Sequence, residues 1–333
     1  MNDLIRFNWK AFDLISGTKV TIGFIVIMAL TKLTGETWTA TGLVVLLAWL
    51  TNVPGPSKDR INGMLVFGAG AIAITVISGQ MGLALWPNII AVSVIGLLGT
   101  LALVRGMRAY MIGYVLICWT IYAPFMVAGT SVTNCVLAIL LGTGVLIVLN
   151  IVAAILEGDN TETSEAEESS GKPEMNYIIA YSVTVALVLA LTTYLGHALL
   201  KTDPTLIVGG AFFIIGFDAK KTWVAGIARV IGVVAGTLLG LIIAKLLGPG
   251  LLLHVIVIAA FFLSFATMAI HPGFFMFFFL LLLSIGWQGL ETETLNLTFW
   301  ERLSGETTGV LIAMTAIAAL QWWQNRSRHC DGY

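Results

Sequence analysis

The chain has 333 residues, 58% of them hydrophobic and only 11% charged, with a mean hydropathy of +0.95 and a formal net charge of −1. A soluble domain has no use for that much apolar surface, and a near-neutral chain without a basic tail excludes nucleic acid as a partner. Three cysteines (Cys118, Cys135, Cys330) and four histidines stand at no disulfide or metal-ligand spacing, so no metal and no cofactor is expected. Zinc-protease, serine-hydrolase, P-loop and EF-hand patterns are all missing, so no enzyme is expected either.

In chain order, Met1 to Lys19 mixes Arg6, Trp9, Lys10, Phe12 and Asp13, without a signal-peptide layout. It reads as an interfacial helix that leads into the first span. Apolar runs then predict twelve spans, most of them close to the roughly 20 residues that cross a bilayer. They cover 14–33, 37–53, 61–79, 83–104, 107–127, 132–156, 177–200, 205–217, 223–246, 250–270, 273–290 and 303–323. The expected fold is therefore an all-α integral membrane protein of two six-helix modules, 1–156 and 176–333. Between them, 157–175 is acidic, rich in Ser and Thr and poor in apolar residues, the composition of a disordered linker.

Cytoplasmic loops carry an excess of lysine and arginine. With the N-terminus inside, thirteen of the seventeen fall on the inner side and four (Lys32, Lys201, Lys245, Arg302) on the outer. The bias alternates loop by loop, which predicts that both termini and the acidic linker are cytoplasmic.

The two halves share features in the same order. Lys32 and Lys201, Arg60 and Arg229, and Gly63 and Gly232 each stand 169 residues apart, and the string TGVLI recurs at 143–147 and 308–312. A small deletion in the second half would reconcile the two offsets. Six spans per half give both halves the same orientation, hence pseudo-twofold symmetry about the membrane normal and a pathway between them. The second span of each half is short and meets proline (Pro54 and Pro56; Pro204). Matching short segments point to a transport site, although a tilted neighbour or a thinned bilayer also produces them.

Arg60 and Arg229 are the leading candidates for contact with an anion. Each follows a short span and an inner loop, then enters a Gly-rich helix; an arginine there is costly unless it has a partner, snorkels or lines a wet cavity. Interfacial anchoring is the competing reading, and it suits Arg60 at its helix start better than Arg229. Gly63, Gly232, Gly236 and Gly240 allow close helix packing. Lys58, Lys220 and Lys221, with Arg105 and Arg108, form an inner basic vestibule or simply the topological signal. Glu306 follows Arg302 by four residues, so the two share a face and can pair. An intramembrane carboxylate is the usual means of proton coupling, yet Glu306 stands in the first turns of its helix, where the outer interface is its natural place.

The stretch from Arg229 through Gly236 and Thr237 to Gly240 resembles the Arg-…-Gly-Thr-x-x-Gly signature of the fusaric-acid-resistance family. That group includes bacterial aromatic-acid exporters and, more distantly, plant aluminium-activated malate transporters. The segment from Arg302 to Gly309 is similar to the family's closing Arg-…-Gly helix. The first half departs from the pattern: Ala69 stands where Thr is expected, and Asn134 replaces the late arginine. The resemblance implies six-span modules and export of small organic, commonly aromatic, carboxylates from the inner membrane, with a periplasmic adaptor protein as a frequent partner. The large cytoplasmic domains of the bigger exporters have no counterpart here. Gly55 to Arg60 also fits the opening of the major-facilitator loop motif, but Ile61 to Met64 breaks its continuation.

The sequence thus leads to an inner-membrane exporter in which Arg60 and Arg229 draw the anion to the inner mouth. A passive organic-anion channel, a major-facilitator-like exporter and a membrane scaffold acting through the linker are the alternatives.

Overall fold

A computed structural model of the chain describes residues 12–34, 39–51, 56–157, 174–200, 203–216, 219–247, 251–268, 270, 274–275, 277–279, 281 and 292–330. All the described elements are helices: α1 (Leu14–Thr34), α2 (Thr39–Leu50), α3 (Ser57–Met81), α4 (Leu85–Leu101), α5 (Met107–Gly129), α6 (Val132–Glu157), α7 (Met175–Leu199), α8 (Thr205–Phe212), α9 (Ala219–Leu247), α10 (Leu251–Ala266) and α11 (Thr292–Cys330). Most of the acidic linker and of the segment 273–290 lies outside the described residues.

Among the described residues, seven helices are long and apolar enough to cross a membrane, and Leu14–Val26 and Val255–Ala266 are shorter apolar helices. Helices are the expected form, because a backbone in lipid must satisfy its own hydrogen bonds. Their outward faces are apolar. Ile90, Val94 and Leu98 on α4, and Ile179, Val183, Leu187 and Leu191 on α7, are exposed at four-residue spacing. Such stripes suit lipid contact and would be a liability in water. The expectation of twelve spans is not met at α8. With 8 residues it is about 12 Å long, against a hydrocarbon core of about 30 Å. All eight of its residues are buried, so α8 is an internal element.

The chain divides into two compact units, one of residues 22–190 and one of residues 1–21 with 191–333. In the first, α5 packs against α2, α3 and α4, and α6 against α2 and α3. Fully buried Trp119 on α5 donates its indole N–H to Ala71 O (3.1 Å) and Thr75 Oγ1 (3.0 Å) on α3. Where α4 crosses α5 the backbones nearly touch: a Cβ at Gly99 would lie 2.9 Å from Gly113 O. Small residues permit such crossings. Arg108 reaches Asp59 at 2.7 Å, which brings the starts of α3 and α5 to one end of the unit. This agrees with the assignment of Arg60 and Arg108 to the same side of the membrane.

In the second unit, α8 and α9 both pack on α11. Gly226 lies against Val310 and Met314, and Arg229 against Glu306, so α9 and α11 run antiparallel. The first unit also has an antiparallel pair, α3 with α6, where Met64 meets Asn150 and Gly68 meets Thr143. The repeat offsets would transfer those contacts to Val233 with Thr315 and Thr237 with Thr308. The second unit instead places Val310 and Met314 opposite Gly226, about two helical turns away. The Arg-x-x-Gly match and the TGVLI match therefore fall out of register in space, and a small deletion does not reconcile them.

Candidate functional site

The site is built where α8, α9 and α11 meet. Asp203 opens α8: its Oδ1 accepts from the Thr205 N–H at 3.0 Å and from Thr205 Oγ1 at 2.5 Å, satisfying donors that a helix start leaves free. Pro204 fits there because it has no N–H to satisfy. Leu206 and Ile207 on α8 pack with Leu200 as one apolar cluster, and Leu195 and Ile312 flank it. Two glycines let α8 lie directly on α11. A Cβ at Gly210 would collide with the backbone of Glu306, and one at Gly309 with Ile207 O.

After Phe212 the backbone leaves the helix with Ile214 and Ile215 still buried. The Gly216 N–H donates to Thr222 Oγ1 at 3.1 Å, which ties this segment to the start of α9. Ile207 lies opposite Gly309 and Gly210 opposite Glu306, so α8 runs antiparallel to α11, as α9 does. Two consecutive helices with the same direction require the intervening segment to turn back alongside α8. The eighth element is thus a short, buried helix interrupted before α9, a discontinuity of the kind found where membrane proteins bind solutes.

Arg229 projects from α9 into this junction. Its Nε–H donates to Glu306 Oε2 at 2.6 Å, and its Nη2 lies 2.5 Å from the same oxygen. The two side chains are only 4% and 7% exposed, so this is a buried ion pair. The guanidinium carbon sits 4.9 Å from the centre of the Phe213 ring, a cation–π contact supplied by the segment that leaves α8.

Two sequence-based expectations change here. Glu306 was expected to pair with Arg302 one turn away, but it pairs with Arg229 across the helix interface. Arginine ahead of glutamate is the weaker order along a helix, and the α9 side chain offers two nitrogens. Arg229 was also placed at the inner mouth and Glu306 at the outer interface, yet they touch. Helix α11 has 39 residues, about 58 Å, so distance from its end does not report depth. Glu306 is about 21 Å into it and Arg229 about 15 Å into α9.

The remaining candidates are dispersed. Arg302 is buried on α11, with Nε and Nη1 lacking any hydrogen-bond partner. Gly232, Gly236 and Gly240 are all buried on α9. Lys220 and Lys221 fall in the first turn of α9. Arg60 and Lys58 belong to the other unit, at the start of α3; Lys58 is exposed, and Arg60 is half-buried with an unpartnered Nε. Gly63 packs against the end of α2, 3.3 Å from Thr51 O at its would-be Cβ. Among the described residues, no group of three or more His, Cys, Asp and Glu could hold a metal ion.

Sequence reasoning missed Phe213, Gly210 and Asp203. A Pro-bounded run too short to span, with two adjacent glycines (Gly209, Gly210), was the available signal for a broken, closely packed helix.

Buried charges beside a broken helix, within apolar helices that turn greasy faces outward, define a multi-pass membrane protein. Residues 179–318 match the family model described as fusaric acid resistance protein-like. The matched stretch contains α8, α9 and the Arg229–Glu306 pair, and it leaves the first half unmatched. No curated protein and no solved structure matches the chain.

Proposed function

We propose that this protein moves small organic carboxylates, aromatic ones foremost, out across a bacterial inner membrane. The observation that carries the reading is the broken helix α8 beside the buried Arg229–Glu306 pair, inside the stretch that matches the fusaric acid resistance family. A trio of helices in each unit (α2, α3, α6 and α8, α9, α11) supports a repeat of architecture, though not of register. Arg60, with Lys58, would gather anions from the cytoplasm. Arg229 would fix the transport junction by holding Glu306. A periplasmic adaptor protein is the proposed partner for release beyond the inner membrane.

The test is uptake into proteoliposomes containing the full chain. A labelled aromatic carboxylate should enter faster than into protein-free vesicles, and Arg60→Gln should slow it. Equal rates with and without protein across a panel of such acids would sink the reading.

A passive anion channel is the second reading, and one observation favours it. Among the described residues Glu306 is the sole buried carboxylate, and it is already engaged by an arginine. Planar-bilayer currents that are large, ohmic and indifferent to a pH gradient would select the channel.

A further inference from the structure

One buried charge on α11 is not accounted for by the fold. Arg302 is 6% exposed, and its Nε and Nη1 are buried without a hydrogen-bond partner. A guanidinium stays protonated and carries five N–H donors. The carboxylate one turn away, Glu306, directs one oxygen to two nitrogens of Arg229. Arg229, Arg302 and Glu306 are the only charged residues buried among the described ones, so the cluster holds a formal net charge of about +1. An unpaired charge in an apolar membrane segment is strongly disfavoured and marks solute pathways.

Resting on the transport reading, we infer that Arg302 is the anchor for the carboxylate of the transported anion. The ligand carboxylate accepts a charge-assisted hydrogen bond from an unsatisfied nitrogen of this guanidinium. Its charge of −1 neutralises the cluster, whereas a dianion such as sulfate would leave an excess. The surroundings select an organic body. One residue turn along α11, Gly305 lies against Leu200 and Leu206, and the Phe213 ring already covers the neighbouring guanidinium. In this arrangement Arg229 is the positioning residue. By occupying Glu306, it stops that carboxylate from closing onto Arg302 and keeps the anchor vacant for the ligand.

The experiment is calorimetric titration of the purified full chain in lipid nanodiscs with benzoate, benzamide and sulfate, alongside benzoate transport in proteoliposomes. Wild type should bind benzoate and neither of the others. Arg302→Gln should weaken benzoate binding by about 10- to 100-fold, the range for losing a charged hydrogen-bonding partner. Arg302→Lys should fall between, because it keeps the charge and loses the planar guanidinium donors. Lys245→Gln, at the exposed end of α9, should bind as wild type does. Should Arg302→Gln fail to fold, Arg302→Lys decides: unchanged benzoate affinity overturns the assignment. If wild type transports benzoate and Arg302→Gln binds it equally well, Arg302 is not the anchor and the transport reading stands. If wild type neither binds nor moves benzoate, the transport reading falls, and the anchor with it.

Discussion

Replacing Glu306 with glutamine tests the central junction most directly. The change preserves size and removes one charge, leaving Arg229 and Arg302 buried with no anion between them. Removing one partner of a buried ion pair costs about 3–5 kcal/mol, because the other charge is stranded. The affected unit, residues 1–21 with 191–333, is in the size range where 1 kcal/mol shifts the melting temperature by about 2–4 °C. The expected loss is therefore about 6–20 °C, read by differential scanning fluorimetry of the protein in detergent. Arg229→Met combined with Glu306→Leu should restore much of it, since a packed apolar pair replaces the ion pair without a stranded partner. Asp59→Asn supplies the contrast. Its bridge to Arg108 is 41% and 36% exposed, so it should contribute only about 0.2–1 kcal/mol. If Glu306→Gln melts no earlier than Asp59→Asn, the pair does not hold this junction.

Three further outcomes follow from the packing. Gly210→Ala and Gly309→Ala should each lower stability by about 1–3 kcal/mol or more, because the added methyl meets backbone rather than a side chain that can move. Gly144→Ala should be tolerated in the same melt, since nothing lies within 4 Å of its would-be Cβ. Trp119→Phe should cost about 1 kcal/mol in the unit of residues 22–190 through loss of the donor to Ala71 and Thr75, measured by denaturant unfolding. An unchanged midpoint would mean that this indole bond contributes nothing net.

Fold class was legible because lipid leaves little choice. Apolar runs of span length must be helical, so α3 to α7, α9 and α11 emerge where hydropathy puts them. Hydropathy could not tell a crossing helix from a buried one, since both are apolar throughout; α8 was therefore read as a span. Likewise, an apolar five-residue repeat said nothing of register, which is set by which glycines allow two backbones to meet. The candidate site was half legible. Arg229 and Glu306 stood out as charges within apolar segments, with Arg302 just before the last span. Their partners did not, because one helix offered a plausible pair at four-residue spacing and the better pair lay 77 residues away.

The sequence by itself determined that this is a helical membrane protein with scarce charges whose burial must be compensated. Composition suffices for that, because the free energy of placing apolar and charged groups in lipid depends on what they are. Only the tertiary structure decided that Glu306 belongs to Arg229, that α8 is broken and internal, and that Arg302 is left with unsatisfied donors. Those outcomes depend on distances of 2.5 to 2.6 Å between helices, and such distances follow from packing that no local pattern encodes.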